Sequence, residues 1–228
     1  MLKIDRQERG IFGEDFMNNK KYTEEMLASL RKSVGELMSE KRYNHTLEVE
    51  KMAARIGEIY LPEDIDVLRA AALLHDITKE ESAESQIALC ERFGIPVSDR
   101  DKKSPKTFHA KTAAALISEK YPSFADDEVI SAVRWHTTGR PDMTLAEKII
   151  YLSDYIDMSR KFEDCVKLRD LFWSVDFSKM TEDEKDAHLR DVLIFSYDLT
   201  IKGLLDEEKL VDTNTIEARN FLICEKLK

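Results

Sequence analysis

Apolar residues recur at i, i+3, i+4 and i+7 along most of the chain, the spacing of one helix face, and no run alternates as a half-buried strand would. Thr23 caps a first helix that reaches about Met38, and a second spans Lys41–Tyr60 before Leu61-Pro62 stops it. Asp64 is the expected N-cap of a third, which carries Leu68, Ala71, Ala72 and His75 and gives way near Thr78. A helix over Ser82–Phe93 is closed by Gly94 and Pro96, and a polar loop, 98–104, leads to the next at Thr107–Lys120. Pro122-Ser123 introduces a helix to about Trp135; the turn Thr137-Thr138-Gly139-Arg140-Pro141 separates it from one over Leu145–Met158. Lys161–Trp173, Glu182–Ile201 and Thr215–Leu227 complete the set, and residues 1–22 read as an irregular, poorly ordered arm. The predicted fold class is all-α.

Composition narrows this further. Seven Gly and five Pro are too few for a turn-dense β architecture, and 43% hydrophobic with 35% charged residues suits a folded chain. The 35 Lys and Arg against 45 Asp and Glu leave a net charge of −10, which repels polyanions and argues against nucleic-acid binding, while a locally basic site could still hold a small phosphorylated ligand. No stretch approaches the ~18 apolar residues of a membrane span, and the N-terminal residues lack a signal-peptide core, so a cytoplasmic protein is expected. Cys90, Cys165 and Cys224 are odd in number and scattered, without the paired spacing of zinc or redox motifs. There is neither G-x-G-x-x-G nor G-x-x-x-x-G-K-[ST], so phosphate chemistry here would need side chains and metal.

Five histidines occur, and four of them fall on inward faces or ends of separate helices: His45, His75, His109 and His136. His45 shares a stripe with Val49, Met52 and Ile56, and His136 follows Val129, Ala132 and Val133. A lone inward imidazole is most often a core residue with a hydrogen-bond partner, but four of them, with Asp76 and the inward Asp154, would be a costly way to build a core. Histidines and carboxylates from several helices form a mixed nitrogen and oxygen donor set suited to Fe, Mn, Zn or Co. A metal there would acidify a bound water and make the protein a hydrolase. His188 lies among charged residues and reads as part of a solvated face; Lys79, before Glu80 and Glu81, reads more readily as a surface ion pair than as a substrate contact.

His45, the pair His75-Asp76 within Leu73–Lys79, and the distant Asp154 resemble the H…HD…D pattern of HD-domain metal-dependent phosphohydrolases. The segments Arg42–Thr46, His136–Pro141 and Glu147–Ile156, with Arg160, narrow the resemblance to the YqeK-type branch, symmetrical diadenosine tetraphosphate hydrolases that release two ADP. It spans about Lys41 to Trp173. The resemblance implies an HD-domain helical bundle in which His45, His75, Asp76 and Asp154 hold a catalytic iron, with Mn2+ or Co2+ as substitutes. It implies catalytic roles for Asp76, His109 and His136, the two histidines donating to a phosphoryl oxygen or the leaving group or else holding a second metal, and nucleotide contacts by Arg42, His109, His136, Thr137, Thr138, Gly139, Arg140, Tyr155 and Arg160. The alternatives are an HD nucleotidase or alarmone hydrolase, and a non-catalytic nucleotide-binding scaffold.

One departure concerns Arg160. The family commonly reads Asp-Tyr-Ile-Glu-Pro-x-Arg, whereas Asp154-Tyr155-Ile156-Asp157-Met158-Ser159-Arg160 has no proline to fix the turn. The expected organisation is an N-terminal arm and helix over 1–40, a hydrolase domain over 41–173, and a C-terminal helical extension over 174–228 packed on the core. The extension is expected to serve packing or a homodimer contact, with residues 205–228 dispensable for the choice of bond cleaved.

Overall fold

The computed structural model describes residues 20–228, and the arm expected over 1–22 lies almost wholly outside them. Among the described residues the regular structure is helical, ten α-helices with short 3₁₀ turns between them. They are α1 (Glu24–Gly35), α2 (Glu40–Tyr60), α3 (Ile65–Leu74), α4 (Ala83–Arg92), α5 (Phe108–Lys120), α6 (Asp127–Trp135), α7 (Leu145–Ile156), α8 (Glu163–Phe172), α9 (Glu182–Asp206) and α10 (Thr213–Lys226).

The centre of the bundle is α3. Its Val67-Leu68 and Ala70–Leu74 are all buried, and it packs against α1, α2, α5, α6 and α7. A helix apolar on every side is stable only when covered on every side. Its small alanines let neighbours approach closely, and so does Gly57 on α2, where a Cβ would stand 2.6 Å from Leu68 Cδ1. This contact fixes the α2–α3 distance and hence the separation of His45 from His75. Buried Glu50 of α2 joins three helices: its carboxylate accepts from Arg31 Nε at 2.7 Å and Arg69 Nε at 2.9 Å.

Several boundaries differ from expectation. Asp64 occupies the N-cap position of α3 as expected, but it also ends a 3₁₀ turn that begins at Pro62, and its side chain makes no capping bond. Pro122 likewise starts a 3₁₀ turn, and α6 begins only at Asp127, where the Asp126 carboxylate accepts from the Glu128 amide. Helix α9 runs past Ile201 to Asp206, because its Thr181/Glu184 capping box starts it firmly and Gly203 does not interrupt it. His188 is no solvated face: it is half-buried against Phe172 and Phe177, and its Nε2 donates to the Phe172 carbonyl at 2.9 Å.

The apolar core is continuous from Tyr22 to Leu222. It takes in Leu189, Val192, Leu193 and Tyr197 of α9 together with Ala218 and Leu222 of α10, so both C-terminal helices are packed into the bundle.

Candidate active site

Helix ends place the site. His75 and Asp76 follow the last residue of α3, His136 follows α6, His109 lies in the first turn of α5, and His45 and Asp154 project from α2 and α7. The structure brings all six together. Asp154 Oδ1 lies 2.9 Å from His45 Nε2 and 3.8 Å from His75 Nε2; Asp76 Oδ2 lies 3.3 Å from His75 Nε2 and 3.9 Å from His45 Nε2. The other Asp76 oxygen, Oδ1, faces His109 Nε2 at 3.3 Å and His136 Nε2 at 3.7 Å.

Backbone carbonyls set the tautomers. Nδ1 of His75, His109 and His136 donates to the carbonyls of Ala72, Lys106 and Val133 at 2.6, 2.8 and 2.7 Å. A carbonyl can only accept, so each Nδ1 carries the hydrogen and each Nε2 turns a lone pair inward. His45 Nε2, His75 Nε2 and Asp76 Oδ1 are buried without a hydrogen-bond partner. Orphaned buried acceptors are costly, and a cation removes that cost. Their spacing suits donors drawn together by metal bonds of about 2.0–2.2 Å. The residues present therefore fit a metal ion, with His45, His75, Asp76 and Asp154 as its holders.

Electrostatics agree. Burial works against the charge on Asp76, yet His75, His136 and His109 hold its carboxyl well below the usual range. Burial likewise opposes Asp154, and Arg160, His45 and His75 outweigh it. At His45 burial disfavours the proton, but Asp154 and Asp157 raise its pKa to about 9. Burial lowers His136, and lowers His109 strongly, so both are neutral.

The turn after α7 is well ordered without its proline. The Asp157 carboxylate accepts from the Ser159 amide at 2.8 Å, and Arg169 of α8 donates to the carbonyls of Ile156 at 2.7 Å, Asp157, and Arg160 at 2.8 Å. Arg160 is thereby aimed at Asp154, with Nη2 2.6 Å from Oδ1. Fully buried Asp157 also stands 3.4 Å from His45 Nδ1, and Ser159 Oγ 3.1 Å from it. Sequence reasoning missed Asp157, Ser159 and Arg169 as supports of His45 and Arg160; the available signal was the spacing of Asp157, one helical turn beyond Asp154.

A cavity of about 970 Å³ opens over these groups, at the upper end of small-molecule sites. His136, Thr137, Thr138, Asp154, Tyr155 and Arg160 line its inner part. Lys79 also faces it, and this corrects the surface ion pair: its Nζ reaches His109 Nε2 at 3.1 Å and burial lowers its pKa. Arg42 stands behind the metal ligands, with Nη1 2.6 Å from Asp76 Oδ2. Arg140 and Gly139 are not brought into the cavity. Arg140 pairs with buried Glu147 at 3.0 Å, and Gly139, at φ +64°, makes its close approach to the Tyr197 hydroxyl rather than to a phosphate. Thr200, Gly203 and Leu204 of α9 and Lys209, Leu210 and Asp212 beyond it line the cavity too, so the C-terminal extension contributes to its wall.

The pattern of the HD domain matches residues 42–159. The chain is 30% identical over 200 residues to the symmetrical bis(5'-nucleosyl)-tetraphosphatase of Bacillus subtilis (strain 168), covering 88% of this chain and 97% of that protein. It is 31% identical over 189 residues to the protein of the same name from Halalkalibacterium halodurans, covering 83% and 92%. A crystal structure from Clostridium acetobutylicum, titled a "predicted HD superfamily hydrolase involved in NAD metabolism", superposes with a TM-score of 0.76 at 35% identity over 87% of this chain and 97% of that one. With the ligand constellation, these likenesses make the chain a member of the HD domain family and an HD-domain hydrolase.

Proposed function

We propose that the protein hydrolyses diadenosine tetraphosphate symmetrically, adding water across the central phosphoanhydride to give two ADP. The observation that carries this reading is the convergence of His45, His75, Asp76 and Asp154 beside a cavity roomy enough for a dinucleotide, which Asp154, His136, Lys79 and Arg160 line. A divalent metal in that N2O2 set, for which iron is proposed with Mn2+ or Co2+ as substitutes, supplies a Lewis acid that acidifies a coordinated water.

The chain's own groups do the rest. Arg160 and Lys79 are cations facing the cavity and neutralise phosphate oxygens; Arg160 is the stronger anchor because it cannot give up its charge. His136 Nε2, neutral and inward, accepts the proton of the attacking water, and His109 Nε2, 3.0 Å beyond, relays it. Thr137 Oγ1, 3.1 Å from both nitrogens, can donate its one hydrogen to either of them. Asp76, whose Oδ1 lies 3.3 Å from His109 Nε2, would help hold the metal beside this pair. Thr138 and Tyr155 shape the wall around the nucleoside.

The test is chromatography of products from diadenosine tetraphosphate with Fe(II) or Mn2+. Two ADP supports the reading; AMP plus ATP contradicts the symmetric cut. Turnover of a nucleoside monophosphate, an alarmone or NAD in its place would move the substrate, the last in line with the NAD metabolism named for the Clostridium acetobutylicum protein. The substrate class is a free dinucleotide, and nucleic acid is not proposed as a partner.

A further inference from the structure

Phe162 is 72% exposed, an unusual position for a large aromatic ring, and it is one of the residues that line the cavity. Its base is rigid. It follows Arg160 by two residues, its carbonyl accepts from Val166 N at 3.0 Å as α8 begins, and the turn behind it is clamped by Arg169. Leu204 and Leu210, the latter 44% exposed, line the same outer part of the cavity from the far wall. Lys103 and Lys106 border that part as well.

The less exposed lining already contains what one nucleotide needs: Asp154 of the metal-binding set, Arg160, Tyr155 and Thr200. The outer part offers different chemistry, a free aromatic face with aliphatic groups and lysines nearby. We infer that Phe162 is a stacking platform for the purine base of the substrate's second nucleoside, the one that leaves with the outer ADP. This deepens the proposed function and rests on it. A purine presents a π face to an aromatic ring whatever its edge substituents, so the platform selects for the presence of a second base more than for its identity. The lysines would meet the phosphates that join it to the inner half.

The experiment compares Phe162→Ala and Phe162→Trp with the unaltered protein. It measures kcat and KM for diadenosine tetraphosphate and the inhibition constant of ADP, which occupies the inner half alone. Loss of stacking is expected to raise KM for the dinucleotide about tenfold in Phe162→Ala, with kcat and ADP inhibition unchanged, and Phe162→Trp should restore the low KM. Equal KM in Phe162→Ala and the unaltered protein overturns the inference. So does a matching loss of ADP binding, which would assign the ring to the inner half. An unaltered chain that releases no ADP from the dinucleotide overturns the function itself.

Discussion

Gly139→Ala probes how the loop carrying His136–Thr138 is held against the C-terminal helices. At φ +64° an alanine is strained by about 1–2 kcal/mol. Its Cβ would also stand 1.9 Å from Tyr197 Oη, 2.9 Å from Tyr197 Cζ and 3.3 Å from Ala218 Cβ, and overpacking of this kind costs about 1–3 kcal/mol. The expected loss is therefore about 2–5 kcal/mol in urea unfolding, with lower turnover because Thr137 and His136 lie on the loop that must give. Tyr197→Phe removes the nearest atom and leaves the next at 2.9 Å, so in that background the same substitution should cost about 1–2 kcal/mol less while the backbone strain persists. Tyr197→Phe by itself should be nearly silent, since its hydroxyl makes only a 3.8 Å contact to Met143 Sδ. A loss below about 1 kcal/mol, or one that Tyr197→Phe does not reduce, would refute the account.

Further outcomes are expected. His75→Ala should lose metal and activity together, whereas His188→Ala should keep its metal and lose about 1–2 kcal/mol of stability as the Phe172 carbonyl loses its donor; metal analysis and thermal unfolding separate them. Arg169→Met should lower kcat/KM about tenfold by loosening the turn that aims Arg160, with partial recovery in Arg169→Lys, and unchanged kinetics would disprove the clamp. In the metal-free protein the proton on His45 stabilises the fold fully below the ordinary imidazole value of about 6.5, and this contribution is lost as pH rises through about 9. Metal must displace that proton, so metal affinity should rise between about pH 6 and 9, and a flat profile by competition with a chelator would contradict it. Removing residues 205–228 should raise KM for the dinucleotide, because Lys209, Leu210 and Asp212 line the cavity; an unchanged KM in a folded product would return the extension to a packing role.

The clustering of these histidines and aspartates was legible because helical periodicity aims His45 and Asp154 inward, and because helix ends at Leu74 and Trp135 deliver His75 and His136 to one point. The supports were harder to read. Arg169 acts on backbone carbonyls, which leave no trace in residue type, and Asp157 replaces a proline's stiffness with a side-chain hydrogen bond. Arg140 and Gly139 were misplaced because a basic residue beside a glycine matches a phosphate loop and a tight packing contact equally well; only the position of Tyr197 and Glu147 decides. The role of the extension depends on contacts distant in sequence, which periodicity does not report.

The contact of Gly139 with Tyr197 and Ala218 also sets an order of events. The residues proposed to hold metal are all complete by Asp154, but the wall that lines the cavity arrives with α9, and the loop bearing His136 gains its backing from Tyr197 of α9 and then Ala218 of α10. On the ribosome, at roughly 5–20 residues per second, seconds separate the two. A nascent chain can thus gather the histidines and aspartates of the metal site before it has a surface against which a nucleotide could be held. Competence for metal precedes competence for substrate, and the docking of α9 and α10 acts as the latch.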